Sequence, residues 1–180
     1  MFKIQYLILQ EEQKRIAGIK RALNWEIEGQ ICLYFHKKVI GFYEEEIDIG
    51  EEYLFLWFRM LLETVKQLKQ KDESYANIPE LTKVLHFVLK GDKLEVIKGE
   101  MALQCLNEKV KVYSSFDMLK VYWEENISFN EFQKEILDKT EQFIAEVSFY
   151  NKRFSKTMDY KILMDLLYEC GWDLNRFWKP

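Results

Sequence analysis

Two histidines, two prolines, seven isolated glycines and three cysteines are all that this chain of 180 residues supplies, and each shortage removes a class of chemistry. His36 and His86 have neither H-x-x-x-H nor H-E-x-x-H spacing, so no helix-borne metal site is expected. His36 reads as a turn residue and His86 as a packed or hydrogen-bonded histidine within a strand. Cys32, Cys105 and Cys170 are odd in number and contain no C-x-x-C pair. That excludes a zinc knuckle or a thioredoxin-type site and suits reduced thiols in a cytosolic protein. Cys32 and His36 share a strand face but stand about 13 Å apart by strand rise, too far for a catalytic dyad. Cys105 would need a specific strand pairing to reach His86. The scattered glycines form neither G-x-G-x-x-G nor a Walker A loop, and no G-x-S-x-G elbow is present, so nucleotide-phosphate loops and hydrolase nucleophiles of those kinds are absent.

Long hydrophobic runs are missing too. The most apolar stretch, Tyr53 to Leu62, is broken only by Arg59 and is about half of a membrane span. Ile4 to Leu9 is interrupted by Gln5 and followed by Glu11, Glu12, Lys14 and Arg15, unlike a signal-peptide core. The net charge of -4 is spread evenly along the chain, without the basic excess or basic face of a general nucleic-acid binder.

Core material, by contrast, is plentiful: 13 Phe, 10 Tyr and 5 Trp within a 48% hydrophobic composition. A chain of this length can bury roughly 70% of its unfolded surface and needs no disulfide or metal to fold. The aromatics are not interleaved with Lys, Arg and Gly as in an RNA-binding platform; core packing is their expected role.

Lys3 to Leu9 predicts a strand, and Ile16, Ile19, Ala22 and Leu23 predict a short helix over residues 11–23. Ile31, Leu33 and Phe35 lead through His36-Lys37-Lys38 into a returning strand, Val39 to Tyr43. Glu51 and Glu52 are expected to open a helix, because acids suit its positive N-terminal end. That helix, Tyr53 to Leu68, is apolar nearly all round in its first turns and must be covered on every side. A loop is expected from Lys71 to Pro79. Leu81–Leu89 and Leu94–Ile97 flank the hairpin turn Lys90-Gly91-Asp92-Lys93. Met101–Leu106 and Val110–Tyr113 predict two more strands. Residues 116–123 fit a strand or a helix equally. Ser128-x-x-Glu131 is a capping box ahead of Phe129, Phe132, Ile136, Phe143, Val147, Tyr150 and Phe154 at helical spacing, with a bend near Asn151. A last helix runs from about Asp159 to Cys170, with Gly171 as its cap.

Runs of strands followed by runs of helices, joined by short turns, define an α+β class with antiparallel pairing. The expected arrangement is one domain over residues 1–180. An antiparallel sheet of about five to seven strands packs against the central apolar helix and two C-terminal helices. Residues 1–126 are mainly sheet with the helix at 51–70, and 127–180 are helical.

Two segments stand out as candidate interfaces. Residues 44–52 carry six acids in nine positions: Glu44, Glu45, Glu46, Asp48, Glu51 and Glu52. The spacing is not that of an EF-hand; it is a solvated strand end or an acidic patch that meets a basic partner. Trp172, Phe177 and Trp178 form an aromatic tail beyond the last helix, and exposed aromatics anchor interfaces. No catalytic residue, cofactor or metal is expected. The favoured expectation is a cytoplasmic, non-enzymatic protein-binding module whose partner has a basic surface, without nucleic acid or membrane. A small acidic α+β protein without a catalytic motif resembles the inhibitory partners of bacterial toxins, the immunity proteins. The likeness rests on fold class and on that absence, not on a motif. The rivals are an enzyme with a carboxylate site among Glu26, Glu28 and residues 44–52, and an oligomer joined through helix 53–62.

Overall fold

The structure, a computed structural model, describes residues 1–20, 26–47, 49–50, 52–77, 83–101, 104–106, 109–111 and 119–172. It is α+β, with antiparallel pairing throughout the described sheets. The strands divide between two four-stranded sheets and a two-stranded ribbon, rather than forming one sheet. The division falls where the 18-residue central helix crosses from one set of strands to the other.

The first sheet contains β1 (Phe2–Ile8), β2 (Glu28–Phe35), β3 (Lys38–Phe42) and β4 (Glu52–Tyr53). Helix α1 (Gln10–Gly18) follows β1 and is shorter than its apolar spacing predicts. It stops at Gly18, whose flexible backbone disfavours helix continuation. The β2–β3 hairpin turns at His36, whose φ of 51° is left-handed. Helix α2 (Leu54–Lys71) begins after the acids rather than with them: Glu52 belongs to β4, and the first turn holds no acid. Pairing of Glu52 with Gly29 takes precedence over the helix dipole.

The second sheet runs β10 (Leu119–Ser128), β7 (Lys93–Met101), β6 (Lys83–Lys90), β5 (Glu73–Asn77). The expected loop at 71–79 is therefore strand over Glu73–Asn77, paired with Val84–Val88. Its polar sequence hides this, because the partner strand decides the pairing. Leu119 to Trp123 is strand, which resolves the ambiguous segment for those residues. Strands β8 (Gln104–Leu106) and β9 (Lys109–Lys111) form the ribbon.

Helix α3 (Phe129–Tyr150) starts at the expected cap, where Ser128 Oγ accepts the Glu131 N–H at 3.3 Å. The Glu131 carboxylate faces the N-terminal ammonium at 3.8 Å. Asp92, from the β6–β7 turn, supplies a second cap, accepting from Ser128 Oγ at 3.0 Å and from the Asn130 N–H at 3.1 Å. The helix ends at Tyr150 instead of bending. Asn151 then caps a short 3-10 helix, Lys152–Lys156, and α4 (Met158–Glu169) closes on Gly171, φ 91°.

Aromatic rings tie the layers together. Phe58 of α2 stacks on Phe143 of α3 at 4.8 Å, and Tyr6 of β1 meets both rings edge-on. Phe132 touches Phe2 of the first sheet and Phe87 of the second. The aromatic excess thus builds one core between the sheets and α2, α3 and α4. α2 buries Leu54, Phe55, Trp57, Phe58, Leu61 and Leu62, but Leu56 is 54% exposed. Most of helix 53–62 is consumed by the fold, which leaves Tyr53 and Leu56 exposed.

Candidate functional site: an acidic loop on a sheet edge

The acidic segment interrupts a strand. Gly29 of β2 pairs with Ile8 of β1 on one side and with Glu52 of β4 on the other. β4 therefore lies on the same side of β2 as β3. Ile31 pairs with Phe42 at the end of β3. Only Gln30 separates the two pairings, and the described residues between Phe42 and Glu52 leave the ladder opposite it. β3 and β4 are two pieces of one edge, with the acidic loop extruded between them.

Gln30 holds that loop. Its side chain is inward and the residue is 1% exposed. Oε1 accepts the Glu44 N–H at 2.7 Å, while Nε2 donates to the carbonyls of Ile47 at 2.6 Å and Ile49 at 2.7 Å. An amide both donates and accepts, so one side chain satisfies backbone groups of both signs that have left the sheet. A Cβ at Gly50 would run into the Gly29 carbonyl oxygen; glycine lets the loop return against β2. Glu52 Oε2 accepts from Trp57 Nε1 at 2.7 Å, which ties the loop's far end to α2.

Glu44, Glu45 and Glu46 are exposed, as are Ile47 and Ile49, the latter at 67%. Val39 and Phe42 on the preceding strand are half exposed. The Tyr43 hydroxyl donates to Glu45 Oε1 at 2.6 Å, and this bond, with lesser help from burial, pushes the phenol up to about 12. From Tyr53 the surface continues into a cleft of about 320 Å³ lined by Leu56, Met158 and Ile162, with Glu26 among its walls. Asp48 and Glu51 lie outside the described residues.

Trp172 does not extend into solvent. It is 7% exposed, its Nε1 donates to Glu141 Oε2 at 2.9 Å, and its ring meets Tyr168 edge-on at 5.6 Å. It belongs to the fold and is not an exposed anchor. Phe177 and Trp178 lie outside the described residues.

Of the rival carboxylates, Glu26 and Glu28 lie near Arg15, whose guanidinium they, with Glu12, hold in its charged form. Glu28 is anchored through its own N–H, which donates to Glu12 Oε1 at 3.1 Å; Glu12 also takes Arg15. Glu26 offers its carbonyl to Arg15. Among the described hydrogen bonds none joins Glu26 or Glu28 to a carboxylate of the loop. A carboxyl pair that the sequence did not flag lies elsewhere. Glu124 on β10 and Glu95 on β7 share a hydrogen bond, which raises the Glu124 carboxyl and lowers that of Glu95; Lys90 adds to the lowering at 3.0 Å. The pairing of Asn126 with Glu95 and of Glu124 with Ile97 makes the two glutamates diagonal neighbours on one face. No spacing within either strand could have announced them.

His36 sits in the hairpin turn with Nε2 at 2.7 Å from the Met1 amine and Nδ1 at 3.3 Å from Glu125. His86 is 2% exposed, stacks on Tyr75 at 4.2 Å and meets Glu73 Oε1 at 2.7 Å. Cys32 and Cys170 are buried, and burial pushes both thiols up, that of Cys170 to about 11. The Cys105 side chain lies outside the described ones. Among the described residues no group of three or more His, Cys, Asp or Glu could hold a metal ion, and no helix is long and apolar enough to cross a membrane.

Compared with known proteins, the chain matches no family model, no curated protein and no solved structure.

Proposed function

We propose that this chain is a non-enzymatic protein-binding module, and that the extruded acidic loop with its apolar neighbours is the interface. The observation that carries the reading is the Gln30 clamp. A buried side chain holds the backbone of a loop whose charged and large apolar side chains face outward. Pre-ordering lowers the entropy lost on binding. Apolar groups among charges match an interface patch with a charged rim. The partner is a protein with a basic surface, which the carboxylates attract from a distance. In its specific form the proposal is an inhibitory, immunity-type partner of a bacterial toxin, acting in the cytoplasm.

The test is affinity capture from the source cell, followed by association kinetics of the captured partner at two salt concentrations. Changing Glu44, Glu45 and Glu46 to Gln and Asp48 to Asn should slow association, and the deficit should shrink as salt shortens screening to about 8 Å. Unchanged association at both salts would overturn the acidic-loop interface.

The enzyme reading has one observation in its favour, the Glu95–Glu124 pair with its divergent carboxyls. Turnover of a substrate by the purified protein, lost in Glu124→Gln, would replace the binding reading.

A further inference from the structure

The two outer edges of the first sheet are finished differently. On β1, the Glu135 carboxylate of α3 accepts the Ile4 backbone N–H at 2.9 Å. A carboxylate placed there occupies an amide that would otherwise invite another strand. β3 is the opposite edge, and among the described residues neither a strand nor a side-chain hydrogen bond covers its outer side. Val39 is 50% exposed and Phe42 51%. Lys37 and Lys38 stand at the start of this strand, and Glu44, Glu45 and Glu46 follow its end. Among the described residues neither lysine has an ion-pair partner, nor have Glu44 and Glu46. Glu45 is met by the neutral Tyr43 hydroxyl. An edge that is basic at one end, acidic at the other and apolar between is complementary to itself. A two-fold axis lays it antiparallel on its own copy with opposite charges together.

We propose that the chain forms a homodimer in which β3 pairs antiparallel with β3 of a second copy, centred on Gly41. With Gly41 on the axis, Ile40 pairs with Phe42 inside the strand, and the flanking segments bring Lys38 and Lys37 of one copy toward Glu44 and Glu45 of the other, each approach occurring twice. Opposite charges placed across an antiparallel pair are favourable and like charges are not. Gly41 has a left-handed φ of 87°, and a Cβ there would strike the Ile31 carbonyl oxygen. Its register with Cys32 nevertheless continues unbroken on the β2 side. Centring one residue earlier, on Ile40, would set Lys38 against Phe42 and Lys37 against Tyr43, and both lysine–glutamate pairs would be lost. The inference stands apart from the binding-module reading, since it needs only this chain. The two share Glu44 and Glu45, so a basic partner protein would compete with the second copy.

The experiment is sedimentation and light scattering of the pure protein at low salt. Concentrations on the order of 100 μM populate a weak interface of less than about 1,200 Å². The wild type should show a mass twice the 21.9 kDa of one chain, falling back as salt rises. Lys37→Glu with Lys38→Glu, and separately Glu44→Lys with Glu45→Lys, should each weaken association at least about tenfold, because like charges then oppose one another. Mixing the two variants should restore a dimer, now mixed, because opposite charges meet again. These positions are exposed or half-exposed, and circular dichroism should show both variants folded. A monomeric wild type overturns the proposal. So do dimers that persist in both variants, and folded variants that fail to pair when mixed. None of these outcomes bears on capture of a different protein by the loop.

Discussion

The acidic loop and the Trp172 turn begin alike, as short segments next to a regular element that carry residues typical of interfaces, and they end on opposite sides of the surface. Trp172 folds back between the end of α4 and α3, where Glu141 accepts its indole N–H. A tryptophan can bury its ring if its one donor finds an acceptor. A row of carboxylates has no such option, because each buried charge must be paired or neutralised. The fold instead sends one buried amide, Gln30, to hold the loop's backbone and leaves Glu44, Glu45 and Glu46 in water. Exposure is thus decided by what a side chain would have to leave unsatisfied if buried, not by nearness to a chain end.

The largest effect that could break this contrast is at Trp172. Trp172→Ala should destabilise by about 3–5 kcal/mol in urea unfolding, as for a large buried aromatic. Cys170, whose thiol burial pushes up to about 11, should resist alkylation at pH 8 in the wild type and become labelled in that variant. A variant as stable as the wild type would return Trp172 to the list of free anchors.

Gln30→Ala should cost about 1–3 kcal/mol, since a buried side chain that satisfies three backbone groups is lost. Hydrogen exchange should quicken at the Glu44 amide while the β2–β3 ladder stays protected. Unchanged exchange there would mean that the loop is held by something other than Gln30.

Ser128→Ala, remote from both segments, calibrates the scale at about 1 kcal/mol for a lost N-cap acceptor. Asp92 also accepts an N–H from the start of the helix, so the cost should grow when Asp92→Ala is added. Strict additivity of the two changes would argue against a shared cap.

The smallest stability effect is expected in the loop itself. Neutralising Glu44, Glu45, Glu46 and Asp48 together should leave the melting midpoint nearly unchanged, because exposed charges contribute little individually. The Tyr43 phenol should respond, however. Its folded value of about 12 lies above the ordinary tyrosine value, chiefly through its bond to Glu45. A raised phenol contributes stability that is fully present below about pH 10 and is lost as pH rises through about 12. In the neutralised variant the phenolate absorbance of Tyr43 should emerge at lower pH.

Local chemistry made much of the fold legible in advance. The Gly91-Asp92 turn needs a left-handed residue and has one, with φ 65° at Gly91. Ser128 and Gly171 mark their helix ends because a cap requires only a few consecutive residues. The α+β class followed from apolar spacing alone. What escaped was whatever depends on a distant partner. Glu73–Asn77 looks like a loop until β6 lies beside it. Glu52 looks like a helix start until Gly29 pairs with it. The Glu95–Glu124 pair exists only through strand register.

For the candidate site the sequence by itself determined where the carboxylates lie and that no familiar catalytic motif accompanies them, because both are properties of consecutive residues. Only the tertiary structure decided that Glu44, Glu45 and Glu46 lie exposed on a loop that leaves the β3 edge, that Gln30 holds the loop, and that Trp172 is buried. The reason is physical. Turns and caps are settled within a few residues, whereas exposure, edge position and clamping depend on which remote strand or helix occupies the space alongside.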